Sequence, residues 1–252
     1  MEPHKIVSRE EWLAARKALL AKEKAQTRAR DALARERRAL PWVRVEKPYL
    51  FEGADGKETL ADLFQGRSQL VLQHFMFGPD MKEGCVGCSF GADHVDPARR
   101  HFEQRDVSFV AVSRKPLAAI DAFRKRMGWR FKWVSSLGSD FNYDFNVSFR
   151  KEDLAAGKVF YNYEMVESTS EELSGISVFC RNPSGEIFHT YSSYGRGDEI
   201  LSGAYMYLDL VPKGRDEAGL PYPQAWWRHH DRYETDGPAP KDAIPVVASC
   251  CG

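Results

Sequence analysis

The stretch Gln69-Leu70-Val71-Leu72-Gln73-His74-Phe75-Met76-Phe77, with Gly84-Cys85-Val86-Gly87-Cys88-Ser89-Phe90 soon after it, decides the reading of this chain. Its first part is almost continuously apolar, the pattern of a central strand covered on both faces. Its second part sets two cysteines, separated by two residues, directly beyond that strand. Downstream, Val107 to Val112 reads as a second buried strand, Pro116 to Met127 as a helix and Phe131 to Val134 as a third strand. Between the first two strands, Asp96-Pro97-Ala98-Arg99 offers an N-cap with proline at the first helical position, opening a helix to about Arg105; a longer helix from Cys85 kinked at Pro97 is the alternative. Strands alternating with helices imply βαβ units and a largely parallel sheet.

Further out the pattern changes. Ile176 to Cys180 and Glu186 to Tyr191 flank the turn sequence Asn182-Pro183-Ser184-Gly185, which predicts an antiparallel hairpin, and a helix is expected from about Asp198 to Tyr207. Beyond Pro212, a proline-broken tail with Trp226-Trp227 reads as an irregular cover, ending in a flexible segment near Cys250. On the other side, Tyr49-Leu50-Phe51 and Gly53-Ala54-Asp55-Gly56 predict a short strand and a tight turn, with a helical turn over Thr59 to Phe64. Ser8 and Glu11 have capping-box spacing, and Trp12, Ala15 and Leu19 follow at helical intervals. That helix is predicted to run to about Arg38, with Pro41 ending it, and its later turns carry so many charges that they read as a solvated arm. The expected organisation is therefore a helical arm over residues 1–40, one α/β domain over 41–212 and an extension over 213–252.

Bulk properties narrow the function. A chain of 252 residues buries roughly 70–75% of its unfolded surface, so its core needs no disulfide staples. Lys plus Arg and Asp plus Glu both number 36, and without a net field neither nucleic acid nor an anionic membrane is an expected partner. No stretch approaches the roughly 18 apolar residues of a membrane span, and Met-Glu-Pro-His-Lys leads into charged sequence rather than a signal segment. The expectation is a cytoplasmic protein. In a reducing compartment a close cysteine pair is more often redox-active or metal-binding than structural.

The chain resembles an uncharacterised bacterial family, domain of unknown function 899, through Gly84 to Phe90 with Ala92-Asp93-His94, Met127 to Ser136, Gly138 to Phe145, His189 to Tyr194 and Leu208 to Glu217. The resemblance implies a thioredoxin-like fold: an α/β protein with a central mixed sheet flanked by helices, here with a long N-terminal helix, a peroxiredoxin-like insertion around Phe131 to Glu172 and an irregular tail. By analogy with thioredoxins, Cys85 is the attacking thiol and Cys88 the resolving one. A thiolate at a helix N-terminus is stabilised by unpaired amides, and its pKa falls to about 3.5–7.5. Two departures stand out. The proline that thioredoxins carry before the hairpin strand is missing from Leu173-Ser174-Gly175-Ile176, and no Pro-x-x-x-Thr-x-x-Cys precedes either cysteine, which argues against a standard peroxidase.

Two classes of function follow. The first is a thiol-disulfide oxidoreductase using Cys85 and Cys88, with a protein or small-molecule disulfide as substrate, a cellular thiol reductant as donor, and neither metal nor organic cofactor. The second is a non-enzymatic metal-binding or interaction protein in which the same thiolates are joined by His94 or His189. Asp93, five residues after Cys88, is a candidate proton acceptor as well as a helix-start charge. Asp140, Asn142, Tyr143 and Asp144 follow a strand's carboxyl end, where α/β folds place ligands, and are a candidate pocket. His74 reads as a satisfied strand histidine, Cys180 as a buried strand thiol and Cys250-Cys251 as an idle tail or a relay arm. The sparse apolar stripe of the arm makes a homo-oligomer a further candidate.

Overall fold

A computed structural model describes residues 4–233 of the chain; Cys250 and Cys251 lie outside the described residues. The chain divides into two compact units, Met1–Trp42 and Val43–Gly252. The first unit is essentially one helix, α1 (Arg9–Arg38). Ser8 Oγ accepts the Glu11 amide at 3.1 Å while the Glu11 carboxylate accepts the Ser8 amide at 3.0 Å, a full capping box. Glu10 and Glu11 in the first turn, and Arg35, Arg37 and Arg38 in the last, oppose the helix dipole at both ends. No side chain of α1 is buried.

The second unit runs β1 (Val43–Arg44), β2 (Leu50–Gly53), β3 (Gly56–Thr59), β4 (Gln69–His74), α2 (Val86–Ala92), α3 (Val95–Phe102), β5 (Val107–Ser113), α4 (Leu117–Arg126), β6 (Lys132–Ser135), α5 (Phe141–Asp144), α6 (Lys151–Ala155), β7 (Lys158–Tyr161), β8 (Glu164–Glu167), β9 (Gly175–Arg181), β10 (Ile187–Tyr194) and α7 (Gly203–Leu208). Eight strands form one sheet in the order β1-β10-β9-β4-β5-β6-β2-β3, and β7 pairs with β8 apart from it. β4, β5 and β6 are parallel, whereas β9 lies antiparallel to β4 and β10 antiparallel to β9. A dithiol helix following β4, a crossover to parallel β5 and a closing antiparallel hairpin on the other side of β4 make a thioredoxin-like fold.

Alternation along the central strands explains their continuous hydrophobicity. Val110 and Val112 of β5 join Leu70, Leu72, Phe64 and Phe179 in a core on one face. Phe109 and Ala111, one residue out of step, join Phe75, Ile120, Phe123 and Trp133 in a core on the other. Because the side-chain period is two, a strand that serves both cores carries apolar residues at successive rather than alternate positions.

Four expectations are corrected. Gly56 to Thr59 turns back to pair with β2 before the predicted helical turn begins, which is reduced to the short 3₁₀ segment Asp62–Phe64. Helix α3 starts at Val95, ahead of Pro97, and the break from α2 falls at Asp93-His94. The proline ring cannot bond or accommodate the carbonyl four residues earlier, which is that of Asp93. The helix predicted over Asp198 to Tyr207 is divided into a 3₁₀ segment, Gly195–Leu201, and α7, with Ser202 at φ −92° and ψ 84° between them; Gly195, Gly197 and Gly203 weaken a continuous helix there. Cys180 is half-buried rather than buried, because it lies near the end of β9 opposite Gln69, the exposed first residue of β4.

Candidate functional site

The site is built where β4 leaves the sheet. Phe75 continues the parallel pairing through its amide to Val112 O at 2.9 Å, and the chain then loops back so that Cys85 N–H donates to Met76 O at 3.0 Å. Met76 N–H in turn donates to Cys88 Sγ at 3.4 Å. The dithiol is thus pinned to the end of β4 by two backbone amides running in opposite directions. Cys85 is the N-cap of α2 and is half-buried, while Cys88 lies inside the helix and is buried. Sγ of Cys85 is within hydrogen-bonding reach of the Cys88 thiol and of the Cys88 and Gly87 amides. These donors, the Cys88 thiol foremost, outweigh the opposing effect of burial and bring the Cys85 thiol down to about 7. Burial, with Asp106 adding a little, pushes the Cys180 thiol up.

Beside the dithiol is a cavity of about 500 Å³, within the range of small-molecule sites. Its floor is one face of the sheet, with Val71 and Gln73 of β4, Phe109 of β5 and Ile176 of β9; its wall is α3. The 3₁₀ segment Gly195–Leu201 and the C-terminal extension close the remaining side. The extension is fixed by aromatic packing. Trp227 stacks on Phe90 at 4.6 Å and 12°, and Phe90 also meets Tyr205 and Trp226. The Glu217 carboxylate accepts from Tyr205 Oη, Trp226 Nε1 and the Gln224 amide. His229 is buried, and its Nε2 lies 2.9 Å from Gly84 O, next to Cys85 in sequence. A Cβ on Gly87 would sit 3.0 Å from Cζ3 of Trp227 and 3.8 Å from Cys85 Sγ, so glycine at this position lets the indole edge close over the dithiol turn.

The other candidate residues take different places. His94 lines the cavity, its Nε2 accepting the Ala204 amide at 3.0 Å. Asp93 does not line it: Oδ1 accepts from Trp129 Nε1 at 2.8 Å and pairs with His230 Nδ1 at 2.6 Å, which ties the α2–α3 junction to the extension. Asp140 and Asp144 bind Lys47, at 3.0 and 2.7 Å, and Asp140 also reaches Arg150. Buried Asn142 accepts from Ser136 Oγ at 2.7 Å, and the Tyr143 ring lies under the guanidinium groups of Arg114 and Arg150. That group is an internally paired polar cluster, and none of its four members lines the dithiol cavity. His74 is buried against Ser177 Oγ at 2.8 Å, and His189 Nε2 lies 2.7 Å from Ser192 Oγ. Among the described residues no three His, Cys, Asp or Glu side chains come together as a metal site requires.

Sequence reasoning missed Gln73, Asp198 and Tyr205 as cavity residues. Gln73 carried a signal, being a polar residue within a largely apolar stretch; Asp198, which burial pushes up to about 6, carried none. Among the described residues no helix is long and apolar enough to cross a membrane.

Fold and site together define a thioredoxin-like protein with a Cys-x-x-Cys turn at the end of its central strand. The chain belongs to the family described as bacterial protein of unknown function, domain 899, whose model matches residues 1–233. No curated protein matches it. Similar solved structures include a mutant of the peroxiredoxin PrxQ of Xylella fastidiosa, at 18% identity over 63% of this chain and 89% of that one, with a TM-score of 0.39. The peroxidoxin BcpB of Mycobacterium tuberculosis is 13% identical over 67% and 92%, with a TM-score of 0.43. The reduced two-cysteine peroxiredoxin of Plasmodium vivax is 16% identical over 68% and 96%, with a TM-score of 0.39.

Proposed function

We propose that this protein is a thiol-disulfide oxidoreductase in which Cys85 attacks a disulfide and Cys88 resolves the mixed disulfide. The observation that carries the reading is the turn itself: a half-buried thiol at the start of α2, approached by the Gly87 and Cys88 amides and by the Cys88 thiol, and opening on a cavity. A thiol brought to about 7 is substantially ionised at neutral pH while keeping good nucleophilicity, since the best attacking thiol has a pKa near the ambient pH. Cys88, one turn deeper and buried, would expel the substrate half from Cys85. A cellular dithiol or two monothiols would then restore the reduced pair.

The metal-binding reading lacks a third ligand in this arrangement, because His94 Nε2 is engaged by Ala204 and His189 by Ser192 and the Tyr191 carbonyl. The test is mild oxidation of the freshly purified, reduced protein, followed by peptide mapping and a metal assay. The expected result is loss of two thiols with a Cys85–Cys88 linkage and no stoichiometric metal. Failure of these two cysteines to pair, or a full equivalent of bound metal released by thiol alkylation, would sink the reading.

A further inference from the structure

The cavity beside the dithiol is lined along the length of β4 and β5, and that span can be read from the strand register. Val107 of β5 lies opposite Gln69 of β4, and Met76 stands seven residues further along the β4 line. At about 3.3 Å per residue the lined path from Val107 to Met76 is on the order of 20 Å long. Val71, Val107 and Phe109 from the sheet, Ile176 from β9, and Val95 and Phe102 from α3 give it apolar walls. Charges occur only near the 3₁₀ segment, and there the cation is already committed: Arg196 is paired with Glu199 at 3.2 Å.

Three polar atoms of the lining residues are left over behind the cavity surface. Gln73, 7% exposed, donates its Nε2 to Cys88 O at 3.2 Å, but its Oε1 has no partner among the described residues. His94 uses Nε2 as an acceptor for Ala204, so its Nδ1 carries the proton, and that buried N–H is also unpartnered, as is the buried Nε1–H of Trp227. These atoms have no surface open to the cavity, so what the cavity offers a ligand is chiefly apolar.

Resting on the dithiol reading above, we propose that the substrate is a small, uncharged organic disulfide, whose apolar arm lies along this cavity while its S–S bond reaches Cys85. The Cys85 thiolate attacks one sulfur of R–S–S–R, forming Cys85–S–S–R and releasing RS⁻, which takes up a proton. The Cys88 thiolate then attacks Cys85 Sγ, closing the Cys85–Cys88 disulfide and releasing the second RS⁻. The two thiol protons of the protein end on two RSH molecules, and two electrons pass from protein to substrate.

Single-turnover oxidation of the reduced protein tests this with four probes: bis(hydroxyhexyl) disulfide, bis(hydroxyethyl) disulfide, glutathione disulfide and insulin. The first two have nearly the same intrinsic exchange reactivity, so their rate ratio reports the arm. Each buried methylene is worth a factor of roughly four, and the hydroxyhexyl compound is expected to react at least about tenfold faster than the other three. Ala98→Trp, at an exposed α3 position that lines the cavity, should abolish that preference. Equal rates for the two hydroxyalkyl disulfides, a faster reaction with glutathione disulfide or insulin, or an intact preference in A98W would overturn the substrate assignment while leaving the dithiol chemistry standing. No oxidation of the Cys85–Cys88 pair by any probe would remove the oxidoreductase reading, and this inference with it.

Discussion

Cys85 and Cys180 show how one residue type acquires two chemistries. Cys85 sits where three donors converge, while Cys180, on a hairpin strand, has only burial and the nearby Asp106 carboxylate, both of which favour the neutral thiol. Alkylation of Cys85 should therefore reach half its limiting rate near pH 7, with reactivity falling below that pH as the thiolate takes up a proton. Cys180 should need distinctly more alkaline conditions. Since the Cys88 thiol is the largest of the three influences, Cys88→Ala should move the Cys85 midpoint upward by about one unit, equivalent to about 1.4 kcal/mol. Iodoacetamide labelling across pH, followed by mass mapping of each site, measures this directly; an unmoved midpoint would mean that the amides alone set the reactivity.

Among the elements, the C-terminal extension depends on Glu217 as much as on its aromatics. That carboxylate takes the Tyr205 hydroxyl at 3.0 Å, the Trp226 indole at 2.7 Å and the Gln224 amide at 3.1 Å. Glu217→Ala leaves three donors short of their acceptor, and the expected cost is about 2–3 kcal/mol, read as a fall in Tm of roughly 5–10 °C. A Tm within a degree or two of the wild type would show that aromatic stacking alone holds the extension. Helix α1 poses the opposite question, because it is well capped yet buries no side chain, and Trp12, Leu13, Leu19 and Leu20 are all exposed. Helices of this kind gain most of their stability from packing rather than propensity. Self-association through the arm is the expected consequence, so deleting residues 1–40 should lower the mass in solution; an unchanged mass by light scattering would refute it.

At the scale of the whole molecule, the second unit is a thioredoxin-like sheet whose site is completed from the far end of the chain. Trp227 covers the dithiol turn, His229 holds Gly84 O, His230 holds Asp93, and Arg126 bridges to Asp231 at 2.7 Å. Removing residues 213–252 should lower Tm by more than about 5 °C, because it uncovers Phe90 and Tyr205, and should speed Cys85 alkylation severalfold by exposing the turn. Thermal melts and labelling rates on the truncated chain check both. Slower alkylation after truncation would mean that the extension arranges the donors around the sulfur rather than shielding it.

Residues 70–72 and 75–77 are apolar at successive positions because the β4 line serves two cores. The cysteine spacing, the capping box at Ser8 and the hairpin around Asn182 to Gly185 were legible for the same reason: each is a contact between residues a few positions apart. The divided helix at Ser202 and the start of α3 ahead of Pro97 were read wrongly, since glycines weaken a helix without fixing where it breaks and a proline is tolerated anywhere in a helix's first turn. Nor could local pattern show that Asp93 faces Trp129 and His230, that Asp140 and Asp144 are occupied by Lys47, or that Gln73, His94 and Trp227 line one cavity. The sequence by itself determined the central strands β4, β5 and β6, the β9–β10 hairpin, the dithiol turn and the family. Which polar groups meet at the dithiol was decided only by the tertiary structure, because those groups lie up to about 150 positions apart and are brought together by sheet register and by the return of the C-terminal segment.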